Sequence, residues 1–308
     1  MKIHPFRTYI GLLIAVGVFS FLGRKLFLSW RELSGLSWNF HIWQLLASFA
    51  TLLLYRALLV QPWIASLKQF NAQLPYSTGF QIFNLSQLGR YLPGKVWLVV
   101  GQVYLCKNAG IGKAQAFVST LLQLAFLTFS GILIAVFVFV FTPADLPFAI
   151  TLPNLPIVTG CVVFAGLSIL AVCRRLIFRL ICETVFKLNP NTPFSSFRLL
   201  HSFLIYLLLW CVYGLAFFLL IKSLFPLEWH LLPAIVASYA LAWTAGFLSF
   251  VTPGGLGVRE GALSLLLAPY LPPATAMLVA LLSRVWSIAA DLVLASIALG
   301  IRYRNPAT

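Results

Sequence analysis

Two short stretches carry residue types whose spacing could do chemistry within an otherwise apolar chain. One is Thr252-Pro253-Gly254-Gly255-Leu256-Gly257-Val258-Arg259-Glu260-Gly261; the other, 84–97, has Gly89-Arg90-Tyr91-Leu92-Pro93-Gly94-Lys95 at its centre. Proline lacks a backbone donor and glycine disfavours helix, so each stretch stops one helix and lets another begin. A helix starting after such a break points unsatisfied N–H groups and its positive dipole end into the gap. An anion can sit there, and Arg90, Lys95 and Arg259 would add full charges beside it. Arginine can grip a phosphate through two parallel hydrogen bonds. Pro93, Gly94, Pro253, Gly254 and Gly255 then serve as breaks and hinges of a binding site rather than a catalytic one. The plainer reading is that Arg90 and Lys95 snorkel to an interface and the glycines allow close helix packing.

Glu260 follows Arg259 directly, so on a helix the two side chains diverge by about 100° and need not pair. A carboxylate inside a membrane is a functional candidate by default; Glu260 could hold Arg90, bind a proton or contact an amino group. Arg284 and Asp291 stand seven positions apart and share one helix face, either holding a bundle together or lining a substrate path. Arg56 reads as a structural residue that snorkels or pairs. His4, His41, His201 and His230 lie in the N-terminal tail or near span ends and do not suggest a catalytic or metal role. Cys106, Cys161, Cys173, Cys182 and Cys211 show no metal-ligand spacing. No metal or other cofactor is expected. A nucleotide-binding Gly-x-x-x-x-Gly-Lys-Ser/Thr loop is also missing, which leaves a gradient, a partner or nothing as driving force.

The elements that must position these residues follow from composition. The chain is 61% hydrophobic and 9% charged, against about 45–50% and about 25% in soluble domains, which makes it a multi-span membrane protein. Its 21 Lys+Arg against 6 Asp+Glu give a net charge of +15. These cations lie between apolar runs rather than on a soluble face, which argues against nucleic acid and for cytoplasmic loops beside anionic lipid. Apolar runs at 8–28, 41–61, 114–141, 155–173, 201–221, 231–251, 256–270 and 276–301 give about eight crossings. The run 256–270 is short for a span. The stretch 80–107 is polar in its first half and is expected as a re-entrant pair or an interfacial helix.

The expected fold class is therefore all-α: a polytopic integral membrane protein with broken helices in two halves. A single transmembrane domain would cover 1–308, with breaks at 84–97 and 249–261 and no soluble domain. Paired breaks in corresponding halves are a pointer to a transporter's midplane site. The loop carrying Arg174, Arg175, Arg179, Lys187 and Arg198 reads as cytoplasmic and 142–154, without Lys or Arg, as external. That count puts both termini in the cytoplasm of an inner (plasma) membrane, with the first span uncleaved and Arg24, Lys25 and Arg31 against the rule. Trp30, Trp38, Trp43, Trp63, Trp229 and Trp243 suit an interfacial belt.

The pairing of Gly89-Arg90-Tyr91-Leu92-Pro93-Gly94-Lys95-Val96-Trp97 with Thr252 to Gly261 resembles the membrane domain of the lysylphosphatidylglycerol synthase/flippase family. The motifs and the spans between them cover most of the chain. The resemblance implies movement of a phospholipid across the bilayer, aminoacylated in the best-known relatives. Other relatives are linked to glycolipid, polyprenyl-linked sugar or hopanoid pathways. In the best-known relatives a separate soluble domain makes the lipid. The present sequence ends soon after its last span, so lysyl transfer, and enzymatic activity generally, is not expected of it. The expectation is a protein that binds and flips a phosphate-bearing lipid, such as an anionic or aminoacylated phospholipid or a lipid-linked sugar. Its partners would be membrane lipids, and a separate lipid-modifying enzyme is a further candidate. The alternatives are an intramembrane transferase using Glu260 or Asp291 as base, and a scaffold that moves nothing.

Overall fold

The computed structural model describes residues 24, 40–91, 96–141, 196–249, 255 and 257–304. Apart from Arg24, the expected spans 8–28 and 155–173 lie outside the described residues, as do Pro93, Gly94, Lys95, Pro253 and Gly254.

Helix α1 (Ile42–Leu58) and helix α2 (Val60–Gln69) form one apolar run, stepped at Leu59. Pro62 explains the step, because it lacks the N–H that would bond the Leu58 carbonyl. Helix α3 (Tyr76–Gln87) runs into a 3-10 turn at Leu88–Tyr91, and α4 (Trp97–Asn108) follows the first break. Then come α5 (Lys113–Phe141) and α6 (Ser196–Lys222). A 3-10 turn at Trp229–Leu231 opens α7 (Leu232–Leu248); α8 (Val258–Leu267) and α9 (Pro273–Arg304) complete the order. Pro273 stands at the first position of α9, where its missing donor leaves no bond unmade. No strand occurs among the described residues.

Among the described residues, five stretches are long and apolar enough to cross a membrane: Ile42–Gln69, Lys113–Phe139, Phe197–Lys222, Trp229–Leu248 and Pro273–Ile301. Helices α3 and α4 have 12 residues each and α8 has 10. At 1.5 Å per residue they reach only about 15–18 Å, roughly half a bilayer core. Each is one arm of a broken hairpin. In the first, a methyl group at Gly89 would stand 2.8 Å from the Trp97 backbone, so the chain doubles back tightly and α4 returns along α3. In the second, Gly246 of α7 lies against Arg259 of α8, and Ser238 Oγ donates to the Leu266 carbonyl at 3.4 Å. That pairing makes α8 antiparallel to α7.

The two hairpins enter from opposite ends of the bundle. His41 N–H donates to the Ser223 carbonyl at 2.9 Å, which places the start of α1 beside the end of α6, and α7 sets out from that end. Helix α3 sets out from the other end, where α2 finishes. The stretch 80–107 is therefore a helical hairpin packed on α5 and α9 rather than an interfacial helix.

Small residues let the long helices approach. A methyl group at Gly214 of α6 would overlap Val236 of α7, and one at Gly131 of α5 would stand 2.9 Å from the Trp210 ring. Large side chains fill the remaining space: Tyr206, Trp210, Phe217 and Ile221 are fully buried along α6. Trp43 and Trp229 are exposed, as an interfacial belt requires. Trp63 corrects that expectation. It is fully buried, 5.8 Å from the Phe83 ring, because the α1–α2 step turns it toward α3.

Candidate functional site

Six charged side chains from four parts of the chain converge where the hairpins meet. Asp291, 3% exposed on α9, is the first centre. Its Oδ1 lies 3.4 Å from Arg56 Nη2 and its Oδ2 lies 3.6 Å from Arg90 Nη1. Tyr91 OH donates to Oδ2 at 2.6 Å, so one carboxylate gathers α1, the 3-10 turn and α9. Arg90 also donates to Gln87 Oε1. Glu260, 1% exposed, is the second centre. Its Oε1 lies 3.6 Å from Arg284 Nη1, and its Oε2 accepts from Gly257 N–H at 2.7 Å.

Arg259 is treated differently. Though 7% exposed, it forms no ion pair among the described residues. Its Nη2 donates to Tyr239 OH at 2.6 Å, and its guanidinium lies 5.1 Å from the centre of the same ring. Tyr239 OH and Tyr213 OH are hydrogen-bonded at 3.0 Å, and Tyr213 stacks on Tyr55 at 4.2 Å. Behind the arginines stands a wall of tyrosine rings, a low-dielectric backing that strengthens the field in front of it.

The charges do not balance. Arg56, Arg90, Arg259 and Arg284 face Glu260 and Asp291, leaving two positive charges in excess among the described residues. A buried charge without a counter-charge is costly, and Nε of both Arg56 and Arg259 has no hydrogen-bond partner there. The four guanidiniums line one cavity of about 110 Å³, together with Gln87, Gln123 and apolar groups such as Leu98, Leu127 and Phe247. That volume is small beside the roughly 300–1,000 Å³ of a drug-sized site, so it suits an anionic group rather than a whole amphiphile.

Of the residues singled out in the sequence, Arg90, Gly255, Arg259, Glu260, Arg284 and Asp291 are described, and all lie at this junction. Arg259 and Glu260 form no mutual ion pair among the described residues, in keeping with the reading that neighbours on a helix need not pair. Arg90, however, is held by Asp291, whereas Glu260 holds Arg284. Glu260 also occupies the Gly257 N–H at the start of α8, a donor that sequence reasoning left open to an anion. Arg56 was missed as a site residue. Its signal was its position in the last turn of α1, midway along the apolar α1–α2 run, where an arginine is expensive. Tyr91, Tyr213 and Tyr239 gave no signal, because tyrosine is unremarkable in apolar helices.

Long apolar helices, two broken hairpins that enter from opposite ends and a cavity lined by four arginines define a multi-pass membrane protein with a net positive cluster at its centre. The chain belongs to the family described as the lysylphosphatidylglycerol synthase TM region, whose model matches residues 9–295 of the 308. None of the curated proteins matches it.

Proposed function

We propose that the chain binds a phosphate-bearing lipid headgroup in the cavity between the two broken hairpins and helps that lipid cross the bilayer. The observation that carries this reading is the excess of two buried guanidinium charges around a cavity sized for a headgroup. A phosphate entering there would meet charge-assisted donors already oriented by Asp291, Glu260 and Tyr239, while the acyl chains stay in the lipid. Family membership supports a lipid-related role. Transport rather than catalysis fits the carboxylates, since Glu260 and Asp291 each face a guanidinium and neither stands free as a general base. A separate lipid-modifying enzyme would supply or consume the lipid.

Lys68, Lys107, Lys113 and Arg198 lie at the end of the bundle where α2 and α4 finish, and Lys222 at the other. The first end would therefore face the cytoplasm of the plasma membrane, with both termini on that side.

The test is translocation of a headgroup-accessible fluorescent lipid in vesicles containing the purified protein, across anionic phospholipids and a polyprenyl-phosphate sugar. Wild type is expected to accelerate movement of at least one of them. Arg259→Gln should lower the rate by about tenfold to a hundredfold, the worth of one charge-assisted hydrogen bond. Folded protein that moves none of these lipids would overturn the proposal.

A further inference from the structure

The cavity wall contains four guanidiniums and no carboxylate among the described residues. Asp291 and Glu260 sit behind the arginines, each engaged by guanidinium and by one further donor. The uncharged polar groups of the wall include the amides of Gln87 on α3 and Gln123 on α5. Gln87 Oε1 already accepts from Arg90. Gln123 is 2% exposed and its Oε1 has no hydrogen-bond partner among the described residues.

The neutral polar character continues past the cavity. Leu98 and Gln123 line it from antiparallel α4 and α5, which are joined by a short turn. One helical turn toward that connection lie Gln102 on α4 and Ser119 on α5, both fully buried. Both amide atoms of Gln102 and Oγ of Ser119 also lack partners among the described residues. A seam of neutral donors and acceptors thus leads from the cationic cavity, and it contains no charge.

The composition of this wall sets different costs for different headgroups. An ammonium placed in it would meet guanidiniums and no available carboxylate, a like-charge contact in a low-dielectric site. A hydroxyl would instead supply the donor that Gln123 Oε1 lacks, and a buried acceptor left unsatisfied is what makes a site reject an analogue without the hydroxyl. We infer that the site selects an anionic lipid whose phosphate carries an uncharged, hydroxyl-bearing headgroup, a polyol or a sugar, and rejects ammonium-bearing lipids, aminoacylated ones included. The inference rests on the headgroup-binding reading above and adds the class of headgroup, with Gln123 as the residue that reads it.

The experiment uses phosphatidylcholine vesicles containing the full chain and one tail-labelled lipid at a time: phosphatidylglycerol, phosphatidic acid, phosphatidylethanolamine or lysyl-phosphatidylglycerol. Translocation rate is read for each, alongside retention of the same lipids by purified protein in native mass spectrometry. Phosphatidylglycerol is expected to exceed both ammonium-bearing lipids by about tenfold or more in rate and retention. Gln123→Leu should lower phosphatidylglycerol more than phosphatidic acid, so that the ratio of the two falls toward one. Gln123→Glu, nearly the same shape, adds the missing wall carboxylate and should raise the ammonium-bearing lipids relative to phosphatidylglycerol. Equal handling of all four lipids, or a preference for the ammonium-bearing pair, overturns the inference and leaves headgroup binding standing. Unchanged ratios in both Gln123 variants overturn the role of that residue. If the folded protein neither moves nor retains any of the four, headgroup binding falls and the inference with it.

Discussion

Asp291 touches Arg56, Arg90 and Tyr91, three groups that approach from two other elements. Asp291→Asn keeps the size and leaves Arg56, 4% exposed, facing a neutral amide. Removing one partner of a buried pair costs about 3–5 kcal/mol, whereas replacing both by apolar groups is often nearly neutral. The single variant should therefore lose that much stability, and Arg56→Met combined with Asp291→Asn should recover most of it. Thermal unfolding in nanodiscs of both singles and the double measures the coupling; additive losses would mean the pair is not energetically linked. The same residues show what the sequence could carry. Asp291 and Arg284 were legible because acid and base inside an apolar span are expensive wherever they point. Their partners were not, since Tyr91 and Asp291 are 200 positions apart and nothing local records such a pairing.

Each broken hairpin depends on a glycine packed against backbone. Gly89 lies on Trp97, and Gly255 lies on Gly246. At Gly255 φ is +70°, a conformation other residues rarely adopt, and a methyl group there would overlap the Gly246 carbonyl oxygen, which cannot rotate away. Strain and overlap each cost about 1–3 kcal/mol, so Gly255→Ala should destabilise by about 2–6 kcal/mol or splay α8 from α7. Gly261, on α8, is the control: a methyl group there meets nothing within 4 Å among the described residues. Gly261→Ala should be neutral or stabilising by about 0.5–1 kcal/mol, from helix propensity alone. Thermal unfolding of the two variants separates these outcomes, and equal losses would contradict the packing argument. The breaks themselves were legible, since proline and glycine act on their own backbone. Helix α7 ends at Leu248 and α8 begins at Val258, close to the limits that the apolar runs 231–251 and 256–270 set. Whether 80–107 dips in or lies flat was not legible, because amphipathic character is common to both and only packing on α5 and α9 decides.

The arrangement of the whole molecule puts the cationic cavity at the meeting point of two hairpins that come from opposite ends. On the proposed reading, a lipid headgroup held there would stand between three half-length helices, α3, α4 and α8, and the full-length α7. Opposed broken helices around a central site are how alternating access is built in many transporters. The arrangement makes a labelling prediction independent of any ligand. In a background without cysteines, Ser77→Cys at the start of α3 and Asn108→Cys at the end of α4, both at exposed positions, should react with a membrane-impermeant maleimide from the same side. Glu228→Cys before α7 and Pro272→Cys before α9, also exposed, should react from the opposite side. If Ser77 and Asn108 label from different sides, α3 and α4 together span the bilayer, and the first break no longer faces the second across the cavity. If all four label from one side, α7 and α8 do not enter opposite to α3 and α4, and the case for a site shared between two access routes fails, even with the arginine cluster intact. The predicted two-and-two pattern requires the chain to cross between Asn108 and Glu228 an odd number of times. On the proposed transport reading, Arg56, Arg90, Arg259 and Arg284 would then be the charges a headgroup passes on either route.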